Sequence, residues 1–415
     1  MIKLKEKFKK SVSVIVLSAV MLAGCSSIDN QNANATSGAG ANKADITVGT
    51  ENTSAVQITT SDISPEITEA PAPKSKTVSF CAVGDNLIHA PIYNQAKTAA
   101  GYDFSPAYKN IADIIQKADL SVINQETLIC NDMYEPSSYP CFNSPKALGD
   151  HMIDIGFDVF TLANNHCLDY GEKGLSRSMD YWDTKTQLSA GTYRNAEDKN
   201  KIRVGEYGGI KFSFLSYTQY TNGLTLPQGS EMIIGDTGDL DGMIADIKSA
   251  KQSSDVCVVA LHWGIENSDV IEDWQRTYAK ALADAGADII IGNHPHVLRD
   301  IEEIERADGG KTLCAYSLGN FISAQSVGQN LIGGILEFNV TMTEGDKSAS
   351  ISDIRLIPIV THYDGNYSDV RIYKLSDYTP ELALAHGVRQ FSTFNYDYII
   401  EVLKKNINEK YLVLP

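Results

Sequence analysis

The chain has 415 residues, of which 43% are hydrophobic and 21% are charged, and its formal net charge is −17. Nucleic-acid binding depends mainly on lysine and arginine side chains that neutralise phosphates. This acidic balance therefore argues against a nucleic-acid partner, while the length allows a domain with a large buried core.

Residues 1–25 have the features of a lipoprotein signal peptide. Five lysines precede an apolar stretch at 12–22, which is shorter than the ~20 residues that a membrane-spanning helix needs. The stretch ends in Leu22-Ala23-Gly24-Cys25, which resembles a bacterial lipobox. We therefore expect Cys25 to be lipidated and to anchor the protein at the extracytoplasmic face of the cell membrane. An ordinary signal peptide with a coincidental cysteine is the alternative.

Residues 26–76 contain no Phe, Tyr or Trp and are rich in small and polar residues. Such a composition cannot bury enough apolar surface to fold, which predicts a disordered tether. We expect one folded domain at 77–374. The remaining residues, 375–415, should form one or two peripheral helices with a frayed end.

Within the folded domain, short apolar runs alternate with helical patterns as far as residue 299, which predicts an α/β architecture. We expect strands at 77–83, 120–123, 157–162, 202–206, 210–217, 256–261 and 289–291. Helices are expected near 106–117, 145–155, 172–183, 240–251 and 271–285. Strands at 300–306, 312–317, 331–341 and 350–360 follow, with a hairpin signal at 308–310. These later strands suggest a second, more antiparallel sheet packed on the first.

Five of the predicted strands are each followed by a short polar cluster. In open α/β sheets, the crevice beyond the carboxyl ends of the strands is the usual binding site. The clusters are Gly84-Asp85 with nearby His89, Asn124-Gln125-Glu126, Asn164-Asn165-His166, His262-Trp263-Gly264 and His294-Pro295-His296.

Together the clusters offer eight donor side chains: Asp85, His89, Glu126, Asn165, His166, His262, His294 and His296. Mixed imidazole and carboxylate ligands suit zinc, iron or manganese. A single histidine at a strand end is more often a structural residue, but five successive clusters indicate a common site. Eight donors exceed the needs of one ion and suit two ions ~3.5–4 Å apart, an arrangement that serves hydrolytic displacement.

The order of these motifs, followed by Ser317-Leu318-Gly319-Asn320-Phe321, resembles the CapA group. These are the poly-γ-glutamate capsule biosynthesis proteins within the calcineurin-like metallophosphoesterases. The resemblance covers approximately residues 77–374 and implies a four-layer αββα sandwich with two divalent metal ions at the strand ends. It assigns Asp85, His89 and His296 to one ion, Asn165, His262 and His294 to the other, and Glu126 to both.

The resemblance also implies that His166 faces the substrate, where it would stabilise charge or protonate the leaving oxygen. Asp169 would orient His166. The first cluster has the spacing Asp-x3-His, whereas typical phosphoesterases have Asp-x-His, and the bridging carboxylate is Glu rather than Asp. Two functions therefore stay open. One is metal-dependent hydrolysis of a phosphoester or related bond; the other is a non-catalytic role beside the capsule or polyglutamate synthesis machinery.

Several other residues receive structural interpretations. Cys130 and Cys141 bracket a polar loop and could form a disulfide outside the cytoplasm, whereas the remaining cysteines of the domain should be small core residues. Trp263 should shield the site from water. Gly84 and Gly292 should permit tight turns. Three histidines outside the clusters are expected at the surface or in loops: His151, His362 and His386.

Overall fold

The computed structural model describes residues 73–346 and 348–415. The predicted signal peptide, Cys25 and nearly all of the predicted tether lie outside the described residues. None of the helices in the described part is long and apolar enough to cross a membrane.

The described residues form eighteen strands and ten α-helices. The strands are β1 Ser75–Asn86, β2 Lys97–Thr98, β3 Gly101–Tyr102, β4 Leu120–Asn124, β5 Val159–Thr161, β6 Leu188–Ala190, β7 Thr192–Tyr193, β8 Arg203–Tyr207, β9 Ile210–Thr218, β10 Ile233–Ile234, β11 Val256–His262, β12 Ile289–Asn293, β13 Leu298–Glu305, β14 Lys311–Leu318, β15 Asn320–Ile322, β16 Ile332–Thr343, β17 Ser350–Asp364 and β18 Ser368–Lys374. The helices are α1 Ala90–Gln95, α2 Ser105–Tyr108, α3 Ala112–Ile115, α4 Lys146–Asp154, α5 Gly171–Trp182, α6 Ala196–Asn200, α7 Leu240–Ala250, α8 Asp273–Ala285, α9 Pro380–Ala385 and α10 Tyr396–Asn406.

Two mixed sheets form the centre of the fold. The first has the strand order β18-β17-β16-β1-β4-β5-β6, with β15 also paired to β1. The second has the order β13-β14-β12-β11-β9-β8. The pairs among β1, β4, β5 and β6 are parallel, as are those among β9, β11, β12 and β14. Each sheet therefore presents the carboxyl ends of several strands at one edge.

The sheets pack face to face, with helices on the outside. Phe80 of β1 lies 6.2 Å, between ring centroids, from Phe212 of β9, which joins the two sheets directly. On the outer face of the first sheet, Phe160 of β5 packs against Trp182 of α5 at 4.3 Å. Helices α7 and α8 cover the outer face of the second sheet. The predicted four-layer αββα sandwich is thus confirmed.

The predicted pairing of the later strands is wrong. The hairpin β13–β14 joins β8, β9, β11 and β12 in the second sheet, whereas β16, β17 and β18 extend the first sheet next to β1. Local periodicity specifies that a segment is extended but does not specify its partner. The helix predicted near 106–117 is also interrupted, and the Asn110 side chain at the break donates to the Ile372 carbonyl oxygen at 2.9 Å.

The end of the chain is fixed rather than frayed. Ile399 and Leu403 of α10 are fully buried in the core that the first sheet lines. Beyond α10, the backbone N–H of Leu356 donates to the carbonyl oxygen of Tyr411 at 2.7 Å, and that of Val413 donates to Leu356 at 3.0 Å. The segment therefore adds short backbone pairing alongside β17.

The expected surface or loop positions of His362 and His386 are wrong. Both are 2% exposed, and their rings lie 4.7 Å apart in a buried aromatic group. Buried imidazoles need hydrogen-bond partners; His362 has the hydroxyl of Tyr378 at 2.8 Å, and His386 has the carbonyl oxygen of Thr361 at 2.9 Å. They are structural residues of the core.

The cysteines of the domain are free thiols, and five of the six are buried. Cys130 and Cys141 are not bridged, and the Cys130 thiol lies 3.2 Å from Oδ1 of Asn143. Burial raises the pKa of the Cys167 thiol to about 12, which agrees with its predicted role as a small core residue rather than a nucleophile.

Candidate metal centre

The polar clusters meet where the carboxyl ends of the two sheets adjoin. In the first sheet, Asp85 of β1 is the register partner of Asn124, the last residue of β4. In the second, His262 ends β11 opposite Asn293 of β12. The Nδ2 group of Asn124 donates to Oδ1 of Asp85 at 2.7 Å and lies 3.3 Å from Nδ1 of His262. Side chains of both sheets therefore build one site.

Buried carboxylates and imidazoles form two groups in which the donor atoms lie within 4.8 Å of one another. Asp85, Glu126 and His296 make the first group, and Glu126, His262 and His294 make the second. Glu126 belongs to both groups, with its oxygens 3.5 Å from Nε2 of His262 and 3.9 Å from Nδ1 of His296. Glu126 is therefore the carboxylate that the two groups have in common.

Asn165 lies with the second group. Its Oδ1 atom is 3.0 Å from Nε2 of His262. His89 joins neither group: its Nδ1 atom lies 3.2 Å from both the Leu87 carbonyl oxygen and the Ala324 backbone nitrogen. The structure thus gathers six of the seven predicted ligand side chains and leaves His89 beside them.

The charge distribution of the site fits divalent cations. Within the described residues, neither carboxylate oxygen of Glu126 has a hydrogen-bond partner, although the side chain is fully buried. Burial, and then the negative charge of Asp85, raises the pKa of Glu126 well above its usual value. Two buried acids side by side are costly unless a cation compensates them, and the mixed donor set suits manganese, iron or zinc.

The imidazoles of the second group are suited to act as neutral ligands. Burial, followed by the neighbouring His294, lowers the pKa of His262 well below its usual value. Burial, followed by His296, lowers the pKa of His294 to about 3. Neutral imidazole is the form that binds metal ions.

His166 and Asp169 lie at the edge of the two groups. Nδ1 of His166 is 2.7 Å from Oδ2 of Asp169. The ring of Phe142 packs edge-on against His166, with 4.6 Å between centroids. Because Nδ1 is engaged with the carboxylate, Nε2 is the nitrogen that remains to hold or move a proton.

Backbone conformation at the site is unusual. His294 has a φ of 95° and His296 a φ of 59°, a region that residues other than glycine seldom adopt. Gly292 and Gly84 serve close approach of strands rather than the predicted tight turns. A Cβ atom on Gly292 would lie 2.0 Å from the Tyr316 carbonyl oxygen, and one on Gly84 would lie 1.8 Å from that of Gly319.

Several residues of the site were not assigned a role from the sequence. Asn124 contacts Asp85, and Asn320 contacts His296. Both asparagines lie inside the motifs described above, and those motifs were the signal that could have identified them. Asn222 and Tyr220 lie in the loop between β9 and β10, where no motif marks them. Nδ2 of Asn222 is 3.3 Å from Nδ1 of His166, and the Tyr220 ring is 5.5 Å from that of His294.

Trp263, in contrast, does not border the open part of the site. It is fully buried, stacks on Tyr316 with 6.0 Å between centroids, and donates its Nε1–H to the Tyr316 carbonyl oxygen. It supports β11 through the outer core of the second sheet.

Comparison with known proteins gives a family match. A model described as bacterial capsule synthesis protein PGA_cap matches residues 79–325. The PGA biosynthesis protein CapA of Bacillus subtilis (strain 168) is 35% identical over 174 residues, which are 41% of this chain and 44% of that protein. The capsule biosynthesis protein CapA of Bacillus anthracis is 29% identical over 209 residues, which are 48% and 47% of the two chains. The chain thus matches less than half the length of these relatives.

A solved structure of NAD nucleotidase (NadN) from Haemophilus influenzae is similar at a TM-score of 0.42 and 14% identity. The match covers 82% of this chain and 57% of that one.

Proposed function

The chain belongs to the PGA_cap family of bacterial capsule synthesis proteins, and from this premise we propose that it is a metal-dependent hydrolase. Its substrate would be a phosphoester or a related bond, and its work would serve capsule or poly-γ-glutamate production outside the cell membrane. The observation that carries the proposal is Glu126, a fully buried carboxylate without a hydrogen-bond partner in the described part, which two groups of ligand side chains share.

The ligand sets follow from these groups. Asp85 and His296 would hold one ion, Asn165, His262 and His294 the other, and Glu126 both. When bound, two divalent ions supply Lewis-acid chemistry that activates water and stabilises negative charge on the ester oxygens. Manganese, iron and zinc all suit this donor set.

The chain's own contribution to the reaction is a positioned proton. Hydrolysis forms a bond from the water oxygen to phosphorus and breaks the bond from phosphorus to the leaving oxygen, which must take up a proton. Asp169 holds Nδ1 of His166 and thereby turns Nε2 toward this task. General acid catalysis of this kind contributes about 10²–10⁴-fold to a rate.

The membrane-side expectations remain part of the proposal. Lipidation of Cys25 would hold the domain at the extracytoplasmic face of the cell membrane. The partners there would be the capsule or polyglutamate synthesis machinery. The lipobox-like sequence supports the lipid anchor, and family membership supports the partner machinery.

The proposal is tested with full-length protein purified in detergent and supplied with Mn²⁺. We expect about two metal ions per chain and hydrolysis of bis(p-nitrophenyl) phosphate. The variants Asn165→Ala and His262→Ala should lose metal and activity. The variant His151→Ala is the control, because His151 lies in α4 and joins none of the hydrogen bonds of the site.

Two outcomes would change the conclusion. Bound metal without turnover of any phosphoester or related bond would favour the other function, a non-catalytic accessory role in the synthesis or export of an anionic polymer. Absence of bound metal would refute the metal centre itself.

A further inference from the structure

A groove with a volume of about 380 Å³ opens beside the candidate metal centre. The loop between β9 and β10 forms most of its wall. Its apolar lining includes Leu168, Leu224, Leu226 and Met232.

The loop that forms the groove wall contacts the candidate centre. Tyr220 lines the groove, and its ring lies 5.5 Å from that of His294. Leu168, which also lines the groove, is two residues from His166 in the chain. Asn222, in the same loop as Tyr220, contacts His166.

The wall is a built structure. Leu226, Met232 and Ile234 pack against a small buried cluster that contains Leu168 and Met179. The loop is also tied to α5, because the hydroxyl of Ser230 donates to the Glu172 carboxylate. Contacts within the protein therefore hold the wall in place.

The lining determines which chemical groups it can accept. Among the described residues, the lining contains no lysine or arginine, and Asp236 is its one charged side chain. Four uncharged polar side chains also line the groove: Thr218, Gln219, Thr221 and Thr225. A second phosphate or a carboxylate chain would find no cationic partner among these residues, whereas an uncharged apolar or aromatic group would bury surface against leucine, methionine and tyrosine side chains.

We propose that this groove binds an uncharged apolar or aryl leaving group of the ester whose phosphoryl group sits at the metal centre. This proposal rests on the proposed function, because that function places the phosphoryl group at the metal centre. The loop that forms the groove wall contacts His166 through Asn222. Because His166 would donate the proton that the leaving oxygen takes up, the groove is the place for the leaving group. The preferred substrate is therefore an ester of an apolar or aromatic alcohol rather than of a multiply charged one.

The test compares the binding of phenylphosphonate and methylphosphonate to the full-length, Mn²⁺-supplied protein by titration calorimetry. The two ligands carry the same charged group, and neither is an ester. We expect the phenyl ligand to bind about tenfold more tightly, the effect of partial burial of a ring. The variant Leu224→Gln should lower this preference about threefold or more, and leave methylphosphonate binding unchanged.

Val327→Gln is a matched control, because Val327 and Leu224 are both 41% exposed and Val327 does not line the groove. It should leave the preference unchanged. Equal affinity of the wild type for the two phosphonates, or an unaltered preference in Leu224→Gln, would overturn the groove assignment while metal content and methylphosphonate binding still support the centre. Lack of binding by either phosphonate despite bound metal would overturn both.

Discussion

Oδ2 of Asp169 lies 2.7 Å from Nδ1 of His166 and also accepts a hydrogen bond from the backbone N–H of Phe142 at 2.6 Å. The carboxylate is thus held from two directions, and its side chain is 1% exposed. Such a carboxylate fixes the tautomer and orientation of the imidazole. In the proposed mechanism, this contact positions His166 for proton transfer.

The variant Asp169→Asn should lower kcat for bis(p-nitrophenyl) phosphate by about 100-fold, because an amide cannot orient and stabilise the imidazolium as a carboxylate does. Metal content should remain that of the wild type, since Asp169 belongs to neither ligand group. The measurements are kcat as a function of pH and elemental analysis. Unchanged kcat would show that His166 needs no such partner.

Replacing Glu126 by Gln should raise the stability of the metal-free protein and lower the stability that the protein gains from bound metal. In metal-free protein the variant should be more stable than the wild type, because a neutral amide replaces a buried acid beside Asp85. With Mn²⁺ at about 100 times its Kd, the wild type should gain about 2.7 kcal/mol and the variant much less. Thermal unfolding of both proteins, with and without Mn²⁺, measures this. Glu206→Gln, at an exposed position of β8, is the control. Equal gains would exclude Glu126 as a ligand.

Stability should fall at acidic pH through His386. Burial lowers the pKa of this histidine to about 3, although its hydrogen bond to Thr361 acts in the opposite direction. The folded pKa of His386 lies below the unfolded value near 6.5. The stability that the neutral, buried imidazole contributes is therefore complete above pH 6.5, and it is lost as the pH falls toward 3. From pH 6.5 to 5.0 the loss amounts to about 2 kcal/mol.

The variant His386→Asn removes this titration and can still accept from the Val388 N–H. We expect it to be less stable than the wild type at pH 7.5 and to show a smaller loss at pH 5.0. Urea unfolding at both pH values measures the difference. The same pH dependence in both proteins would contradict the assignment.

The variant Gly84→Ala should destabilise the domain by about 2–4 kcal/mol. A methyl group at this position would lie 1.8 Å from the Gly319 carbonyl oxygen, so β1 and the segment before β15 would have to separate next to Asp85. Gly365→Ala is the control, because the nearest atom to its new methyl group is 3.8 Å away. Chemical unfolding compares the two, and a small effect at Gly84 would mean that the strands adjust readily.

The variant Cys25→Ser should abolish metabolic labelling with a fatty acid and release the protein from the membrane fraction. This follows from the expectation that Cys25 is the lipidated residue. A mutant at another cysteine, Cys141→Ser, should keep the label. Labelling that persists in Cys25→Ser would refute the anchor.

Much of the fold followed from local patterns. The strands at 120–123, 210–217 and 256–261 were predicted nearly to their ends because apolar and β-branched runs specify extended backbone over a few residues. The helices near 145–155 and 240–251 were predicted equally well. The break at Asn110 was missed; the hydrogen bond that the side chain makes there goes to Ile372, far along the chain, and leaves no local signal.

By itself the sequence determined the chemistry of the site: which carboxylates, amides and imidazoles follow which strands, and in what order. Only the tertiary structure decided which sheet each later strand joins, that Glu126 belongs to both ligand groups, and that His89 belongs to neither. It also brought Tyr220 beside His294. The reason is that local interactions fix the conformation of a segment, whereas its neighbours depend on how two sheets bury their apolar faces against each other.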